Sequence, residues 1–106
     1  MIIVCLLVSY FMRPLISVVS ASWNQGRHLA ECHRSVLPLE RGLVEHIVVD
    51  NCSDDETSEV LNQFPEIVKI VEKDRGQSEA LNKGFAMAKG EWILWLNVDD
   101  FLLPGV

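Results

Sequence analysis

Basic residues are scarce in this sequence of 106 amino acids, where nine Lys and Arg stand against fifteen Asp and Glu for a net charge of −6. Nucleic acids and anionic membranes are bound by basic surfaces, so this composition argues against both as partners. Hydrophobic residues make up 49% of the chain, an ordinary proportion for a globular protein. The length fits one domain with a single core.

Cysteines are few and odd in number: Cys5, Cys32 and Cys52 form no C-x-x-C pair. The sequence therefore indicates neither a disulfide framework nor a zinc knuckle. His28 and His33 lie near Cys32 in a predicted helix, but soft ligands without a clear third and fourth member favour a structural role over a metal site. We expect a reducing, cytoplasmic location, with peripheral attachment to the inner face of the membrane as an open alternative.

A long hydrophobic run is also missing. Residues 1–12 (MIIVCLLVSYFM) carry no charge, but a membrane span needs about 20 apolar residues. A secretory signal would carry positive charge before its apolar run, and this segment has none. We interpret residues 1–13 as an apolar N-terminal extension of a domain formed by residues 14–106. The extension is either an extra upstream start, with Met12 as the alternative, or an arm packed on the domain, and both are favoured over a membrane anchor.

From residue 15 onward, apolar β-branched segments alternate with amphipathic ones. This alternation predicts an α/β fold with a parallel, Rossmann-like open sheet of about four strands and flanking helices. Ser78 is the expected N-cap of the third helix, which closes at Gly90. Trp92 and Trp95 are expected to pack inside the domain. The predicted strands are residues 15–21, 44–50, 67–72 and 91–97, and the first two predicted helices are residues 25–37 and 56–64.

Polar and aromatic residues follow the ends of these strands, where open parallel sheets bind their ligands. Trp23, just after the first strand, offers a flat face to a base, although a Trp here is more often part of a core. Asp50 ends the second strand and can accept hydrogen bonds from a base or sugar, or form an ordinary turn. Lys73 and Arg75, after the third strand, can meet a diphosphate or form a solvated loop.

Asp99 and Asp100 follow the fourth strand. Adjacent carboxylates repel each other unless a cation or hydrogen-bond donors compensate them. Mg²⁺ and Mn²⁺ take one or two carboxylates together with substrate phosphate oxygens. The pair therefore predicts a divalent metal site, with a solvated, capped turn as the alternative. The sequence has no Walker lysine loop, no G-x-G-x-x-G after the first strand and no recognisable Ser-His-Asp order.

Residues 15–105 resemble the nucleotide-sugar-binding half of the family 2 glycosyltransferases, which has the GT-A fold. The resemblance implies that Ser22, Trp23 and Asp50 line the base and ribose pocket, and that Arg75 and Lys83 lie near the diphosphate. The matching stretches, in order, are Ile16–Val19 with Ser22–Asn24, Ile47–Asp50 with Ser53 and Asp54, Asp74–Gly84, Gly90 with Glu91, and Leu96–Asp100.

The last of these stretches stands where the family has its metal-binding D-x-D. Asn97 replaces the first acid and is expected to bond a ribose hydroxyl, which leaves Asp99, helped by Asp100, to bind Mn²⁺ or Mg²⁺. Asn51 and Cys52 replace an acid and a glycine in an earlier turn of the family pattern.

The reaction that the resemblance implies is transfer of a sugar from a nucleotide-diphosphate sugar, foremost a UDP-sugar, to a hydroxyl of a carbohydrate or lipid-linked acceptor. The family's catalytic base and acceptor-binding residues lie beyond the D-x-D. The chain is therefore expected to be a donor-binding portion truncated after that motif, with the catalytic base beyond Val106, the last residue of the sequence.

Other functions stay open. A non-catalytic nucleotide-binding module, or a remnant of such an enzyme, is the alternative. A receiver-type signalling domain is a more distant one, because it needs an acidic cluster where residues 20–22 read Ser-Ala-Ser. A sheet left open after its fourth strand also predicts self-association through that edge.

Overall fold

The computed structural model describes residues 14–38 and 43–103. The predicted extension of residues 1–13 therefore lies outside the described residues. Val106, beyond which the catalytic base is expected, lies outside them as well. Strands and helices alternate strictly along the described chain. The strands are β1 (Ile16–Ser22), β2 (Val44–Asp50), β3 (Val68–Val71) and β4 (Trp92–Trp95), and the helices are α1 (Gly26–Val36), α2 (Thr57–Gln63) and α3 (Gln77–Met87).

All pairings in the sheet are parallel, and the strand order is β3-β2-β1-β4. This confirms the predicted α/β fold with a parallel sheet and flanking helices. In the register of β1 and β2, Ile16 lies opposite Val44 and Ser22 lies opposite Asp50. The carboxyl ends of the two central strands are therefore level, so their following loops start side by side.

The start of α3 differs from the prediction that Ser78 is its N-cap. The helix begins at Gln77, and the residue before it is Gly76, which has a φ of +144°. Asp74 Oδ1 accepts the N–H of Gly76 at 3.0 Å, which bends the loop ahead of the expected cap. A glycine suits this bend because a side chain would strain a backbone with positive φ.

The two central strands are buried on both faces. One face carries Val19, Ile47 and Val49 against α3, and Gly84 of that helix lies so close that a Cβ would collide with Val19 Cγ1. The other face packs against α1 and α2. Successive strand residues point to opposite faces, so two apolar layers form from one run of sequence. The buried residues of the second layer are Val18, Val48, Leu29, Cys32, Val36, Leu61, Ile67, Leu96 and Val98.

β4 is an edge strand, and its apolar residues are exposed. Among residues 14–38 and 43–103 it pairs with β1 alone, and Trp92 and Trp95 are 68% and 52% exposed. The expectation that these two tryptophans pack inside the domain is wrong, because the described residues leave both faces of β4 uncovered. As for membranes, the helices within residues 14–38 and 43–103 include none long and apolar enough to cross one.

Candidate functional site

An open cavity of about 550 Å³ lies at the carboxyl edge of the sheet. Its volume is within the range of roughly 300–1,000 Å³ that small-ligand sites occupy. Four segments of chain contribute to it: the loops after β1 and β2, the loop that leads into α3, and the turn after β4. The lining residues are Ala21, Ser22, Trp23, Gln25, Asn51, Asp74, Gly76, Gln77, Ala80, Asn97, Val98 and Asp99.

The loop after β1 presents Ser22 and Trp23 to the cavity. Ser22 is 3% exposed, and its buried Oγ has no hydrogen-bond partner within the described residues. Trp23 is 60% exposed. Asn24 stabilises this loop in a left-handed conformation (φ +52°), since its Oδ1 accepts the Asp54 N–H and its own N–H donates to Ser53 Oγ. The loop therefore offers an exposed aromatic face beside an unused hydroxyl.

The buried side chain of Asp50 fixes the conformation of the loop after β2. Its carboxylate accepts the Ser53 N–H at 2.9 Å and the Ser53 hydroxyl at 2.6 Å, and the residue is 3% exposed. Asp50 is not among the residues that line the cavity. Asn51 is, and its Oδ1 accepts the backbone N–H of Asp74 at 2.8 Å. The hydrogen bonds of these loops thus hold the first three segments of the site together.

Asp74 is the most distinctive polar group of the third segment. One carboxylate oxygen, Oδ1, accepts the Gly76 N–H. The other, Oδ2, is buried and has no hydrogen-bond partner in the part of the chain that the structure describes. A buried acceptor left unpaired costs roughly 1–3 kcal/mol, so this oxygen is set up for a donor from outside the protein.

The turn after β4 carries the two candidate metal ligands. Val98 is 1% exposed and packs with Leu29 and Val48, which anchors the turn to the core. Asp99 is exposed and lines the cavity. Asp100 is also exposed and closes the turn, because its N–H donates to the Asn97 carbonyl at 3.0 Å.

Asn97 connects this turn to α3. Gln77 Nε2 donates to Asn97 Oδ1 at 3.1 Å, and Asn97 Nδ2 donates to Asp100 Oδ2 at 3.3 Å. The amide therefore receives a donor from α3 and passes one on to a carboxylate of the acidic pair. An ionised acid in place of Asn97 would have no hydrogen to donate to Asp100. The amide can therefore accept from Gln77 and donate to Asp100 at the same time, which a carboxylate could not do.

The two predicted diphosphate ligands lie away from the cavity lining. The Arg75 guanidinium is 93% exposed and forms a 2.8 Å ion pair with Glu79, and its hydrogen bond lowers the pKa of the Glu79 carboxyl. Lys83 Nζ donates to the Lys73 carbonyl and forms an ion pair with Glu72 at 3.2 Å. Both cations are held by neighbouring acids on the surface.

The structure thus brings together four of the predicted site residues, Ser22, Trp23, Asn97 and Asp99, and places Asp100 beside them. Asp50, Arg75 and Lys83 do not line the cavity. Sequence reasoning missed four polar members of the lining, and these are Gln25, Asn51, Asp74 and Gln77. The signal for Asp74 was present, since an Asp two residues before a glycine is typical of a side chain that bonds its own loop.

Fold and site together define a parallel α/β domain with a ligand cavity at its strand ends. The model of the family described as glycosyl transferase family 2 matches residues 17–106. The chain belongs to this family. A curated relative is the putative teichuronic acid biosynthesis glycosyltransferase TuaG of Bacillus subtilis, which is 33% identical over 93 residues. That alignment covers 83% of this chain and 37% of the relative.

Solved structures agree with the fold. Glucosyl-3-phosphoglycerate synthase of Mycobacterium tuberculosis, in a complex with Mn²⁺, UDP and glucosyl-3-phosphoglycerate, has a TM-score of 0.69 at 26% identity and covers 84% of this chain and 36% of that one. A mannosyltransferase of Pyrobaculum calidifontis, with GDP-Man and Mn²⁺, has a TM-score of 0.76 at 24% identity over 84% and 28% of the two chains. This chain spans about a third of the length of such proteins.

Proposed function

We propose that this chain is the donor-binding region of a glycosyltransferase that moves a sugar from a nucleotide-diphosphate sugar to an acceptor hydroxyl with the help of a divalent cation. One observation carries the proposal. The cavity brings an aromatic face and two unpaired buried oxygens, on Ser22 and Asp74, to the same edge as the exposed carboxylate of Asp99. The end with Trp23, Ser22 and Asp74 suits a nucleoside, and we call it the nucleoside end. The end with Asp99 and Asp100 suits a metal-bound diphosphate, and we call it the metal end.

The free groups at the nucleoside end support uracil as the base. Trp23 offers a face for stacking, and Asp74 offers a single free acceptor because its other oxygen already binds Gly76. Uracil presents one imide N–H, which a single acceptor satisfies. Guanine presents two adjacent N–H donors on its corresponding edge, and these call for both oxygens of a carboxylate. A UDP-sugar therefore fits the free groups better than a GDP-sugar, and Ser22 Oγ remains for a second hydrogen bond.

The metal end depends on Asp99 and Asp100. Within residues 14–38 and 43–103 there is no cluster of three or more His, Cys, Asp or Glu side chains that could enclose an ion. Mg²⁺ and Mn²⁺ are commonly held by one or two carboxylates plus substrate phosphates, and the acidic pair fits that donor set. When bound, such a cation would neutralise charge on the departing nucleoside diphosphate. Both ions are equally compatible with these ligands.

Arg75 and Lys83 remain proposed partners of the diphosphate. Each would have to exchange its present acid, Glu79 or Glu72, for a phosphate. The ion pair of Arg75 is exposed, and pairs of this kind contribute only about 0–1 kcal/mol, so the exchange costs little. Asp50 is proposed to have two roles. It fixes the loop after β2 through its hydrogen bonds to Ser53, and it makes the expected contact with the base or ribose.

The acceptor side is proposed to lie outside this chain, because the chain spans about a third of its relatives. We propose a carbohydrate or lipid-linked acceptor and a catalytic base supplied from beyond Val106. The same short span favours one other function, a nucleotide-binding module without turnover. Cytoplasmic placement and self-association through β4 also stay predictions, and the exposure of Trp92 and Trp95 supports the latter.

The test is a calorimetric titration of UDP into the folded chain with and without Mn²⁺. We expect Mn²⁺-dependent binding that weakens by about tenfold or more in Asp99→Ala. Glu59→Ala, which removes an exposed acid of α2, is the matched control and should bind like the unchanged chain. GDP in place of UDP tests the base. Absence of binding by any nucleotide to a chain with an intact CD spectrum would overturn the proposal, and binding without transfer by the chain together with its downstream region would favour the module.

A further inference from the structure

A line of buried polar side chains crosses the layer between the sheet and α1. His33 of α1 and His46 of β2 are 2% and 3% exposed, and their rings stack with centroids 5.2 Å apart. His33 Nε2 lies 2.6 Å from Glu66 Oε2, the two Nδ1 atoms lie 3.0 Å apart, and His46 Nε2 lies 2.9 Å from Ser20 Oγ. An apolar layer that buries three polar side chains in contact needs an explanation for each hydrogen.

The distances allow one arrangement of hydrogens when both rings are neutral. The Glu66 carboxylate only accepts, so His33 carries its hydrogen on Nε2 and has a bare Nδ1. His46 must then donate from Nδ1, which leaves its Nε2 bare and makes Ser20 the donor there. Every nitrogen is satisfied, and the hydrogen bonds all run from Ser20 towards Glu66.

The far end of this line lies under the acidic turn of the site. Ser20 neighbours Cys32, the buried thiol of α1, and acts on its charge. Burial raises the pKa of that thiol to about 11, so Cys32 keeps its hydrogen and donates it to the Asn97 carbonyl, with 3.7 Å between sulfur and oxygen. Close polar contacts thus join Glu66, which is 50% exposed, to Ser20, and the neighbouring Cys32 is bonded to the backbone of Asn97.

We propose that Glu66, His33, His46 and Ser20 form a directional hydrogen-bond chain that reverses when His33 takes up one proton, and that the reversal is transmitted to the turn at Asn97. A protonated His33 donates from Nδ1 as well as from Nε2. His46 must then accept at Nδ1 and move its own hydrogen to Nε2, from which it donates to Ser20. The Ser20 hydroxyl hydrogen is released to turn towards the thiol below the turn. One proton enters at His33, and no other group changes its charge.

The two rings have different surroundings. Burial, and next the neighbouring His33, lower the pKa of His46 to about 3, so His46 passes hydrogens along while remaining neutral. His33 touches the Glu66 carboxylate from the α2–β3 loop, whereas the positive charge of Arg34, on its own helix, lies 5.5 Å over the Phe64 ring. At the other end, the acidic pair of the turn is near enough to the buried thiol of α1 to act on its charge.

The experiment is ¹⁵N NMR of the histidine rings in the labelled chain from about pH 8 to about pH 5, the range in which histidines change charge. It needs no nucleotide, so its outcome is independent of the proposed function. At the upper pH we expect His46 with hydrogen on Nδ1 and His33 with hydrogen on Nε2. On acidification, both His33 nitrogens should become protonated, and at the same midpoint His46 should exchange its tautomer without becoming charged. Backbone signals of Val98 and Asp99 should follow that midpoint.

Two variants sharpen the test. Glu66→Gln keeps an acceptor but removes the charge, so the tautomers at high pH should persist while the reversal moves to lower pH. Glu59→Gln on α2 should leave the pH of the reversal unchanged. Half-buried His28, which lies outside the hydrogen-bond chain, is an internal reference. The proposal is overturned if His46 carries its hydrogen on Nε2 at high pH, if its tautomer stays fixed while His33 titrates, or if the backbone signals of the turn ignore that midpoint.

Discussion

Cys52 provides the sharpest test of how the loops of the site are built. It is exposed and has a φ of +50°, in the left-handed region that L-residues avoid. The residue stands where the family pattern has a glycine. Replacing it with glycine removes the conformational cost without removing any buried contact, so Cys52→Gly should stabilise the protein.

The size of the effect follows from two opposed terms. A left-handed conformation costs a residue with a Cβ about 1–2 kcal/mol. Glycine gives back roughly 0.5–1 kcal/mol because its unfolded chain is more flexible. Subtracting the midpoints of the two ranges leaves a net gain of about 0.75 kcal/mol. In a domain of this size it corresponds to an increase of roughly 3–6 °C in Tm.

Urea unfolding followed by far-UV CD measures the effect, with two variants as controls. Cys52→Ala removes the thiol but keeps the Cβ, so its free energy of unfolding should match that of the unchanged chain. Asn24 has almost the same φ, +52°, but its side chain accepts the Asp54 N–H. Asn24→Gly should therefore destabilise the chain. If Cys52→Gly is no more stable than Cys52→Ala, backbone strain at this position is refuted.

Three further outcomes are expected. His46 has a pKa of about 3 in the folded chain and 6.5 in the unfolded chain. As the pH falls below 6.5, the unfolded chain therefore binds this proton first, and the free energy of unfolding should drop by up to about 1.4 kcal/mol per pH unit. Urea midpoints measure this drop, and a His46→Gln variant with the same slope would contradict the expectation. Gln77→Leu should weaken Mn²⁺-dependent UDP binding by roughly threefold to tenfold in calorimetry, and equal weakening in the exposed α2 variant Gln63→Leu would argue against a specific role. The double variant Trp92→Lys/Trp95→Lys should change the free energy of unfolding by about 0.5 kcal/mol or less. It should also reduce self-association, as measured by sedimentation velocity. A large loss of stability would show instead that these two rings are covered.

The order of elements was predictable because it depends on local pattern. Within residues 44–50, the stretch Ile47–Val49 is β-branched and places apolar side chains on both faces, and β2 has the bounds 44–50. A strand of this kind belongs in the middle of a parallel sheet. The environment of β4 was not predictable in the same way. Its sequence is as apolar as that of β2, but its neighbours are set by the strand order, which places it at an edge.

The sequence predicted which loops form the site, but it did not predict which side chains of those loops point into the cavity. Residues after strand ends do meet at one edge, as the topology requires. Asp50 nevertheless turns to Ser53, while Asp74, in a loop whose basic residues were singled out instead, lines the cavity. Such directions depend on single hydrogen bonds between loops. Likewise, the contact between His33 and His46 arises only when α1 packs on β2, and no periodicity in the sequence encodes it.

The two ends of the cavity differ in how firmly the fold holds them, and this difference bears on how a donor would bind. At the nucleoside end, the loops that carry Trp23 and Asn51 follow β1 and β2, which are buried on both faces. Hydrogen bonds between Asn24 and Asp54 and between Asn51 and Asp74 fix these loops and the loop after β3 to one another. The acidic end follows an exposed edge strand and is anchored chiefly by Val98. Preorganised groups lose little entropy on binding, whereas a loosely held turn must be ordered by its ligand. Nucleoside contacts should therefore supply most of the affinity, while a metal-bound diphosphate, by bridging the two ends, would order the turn that carries Asp99.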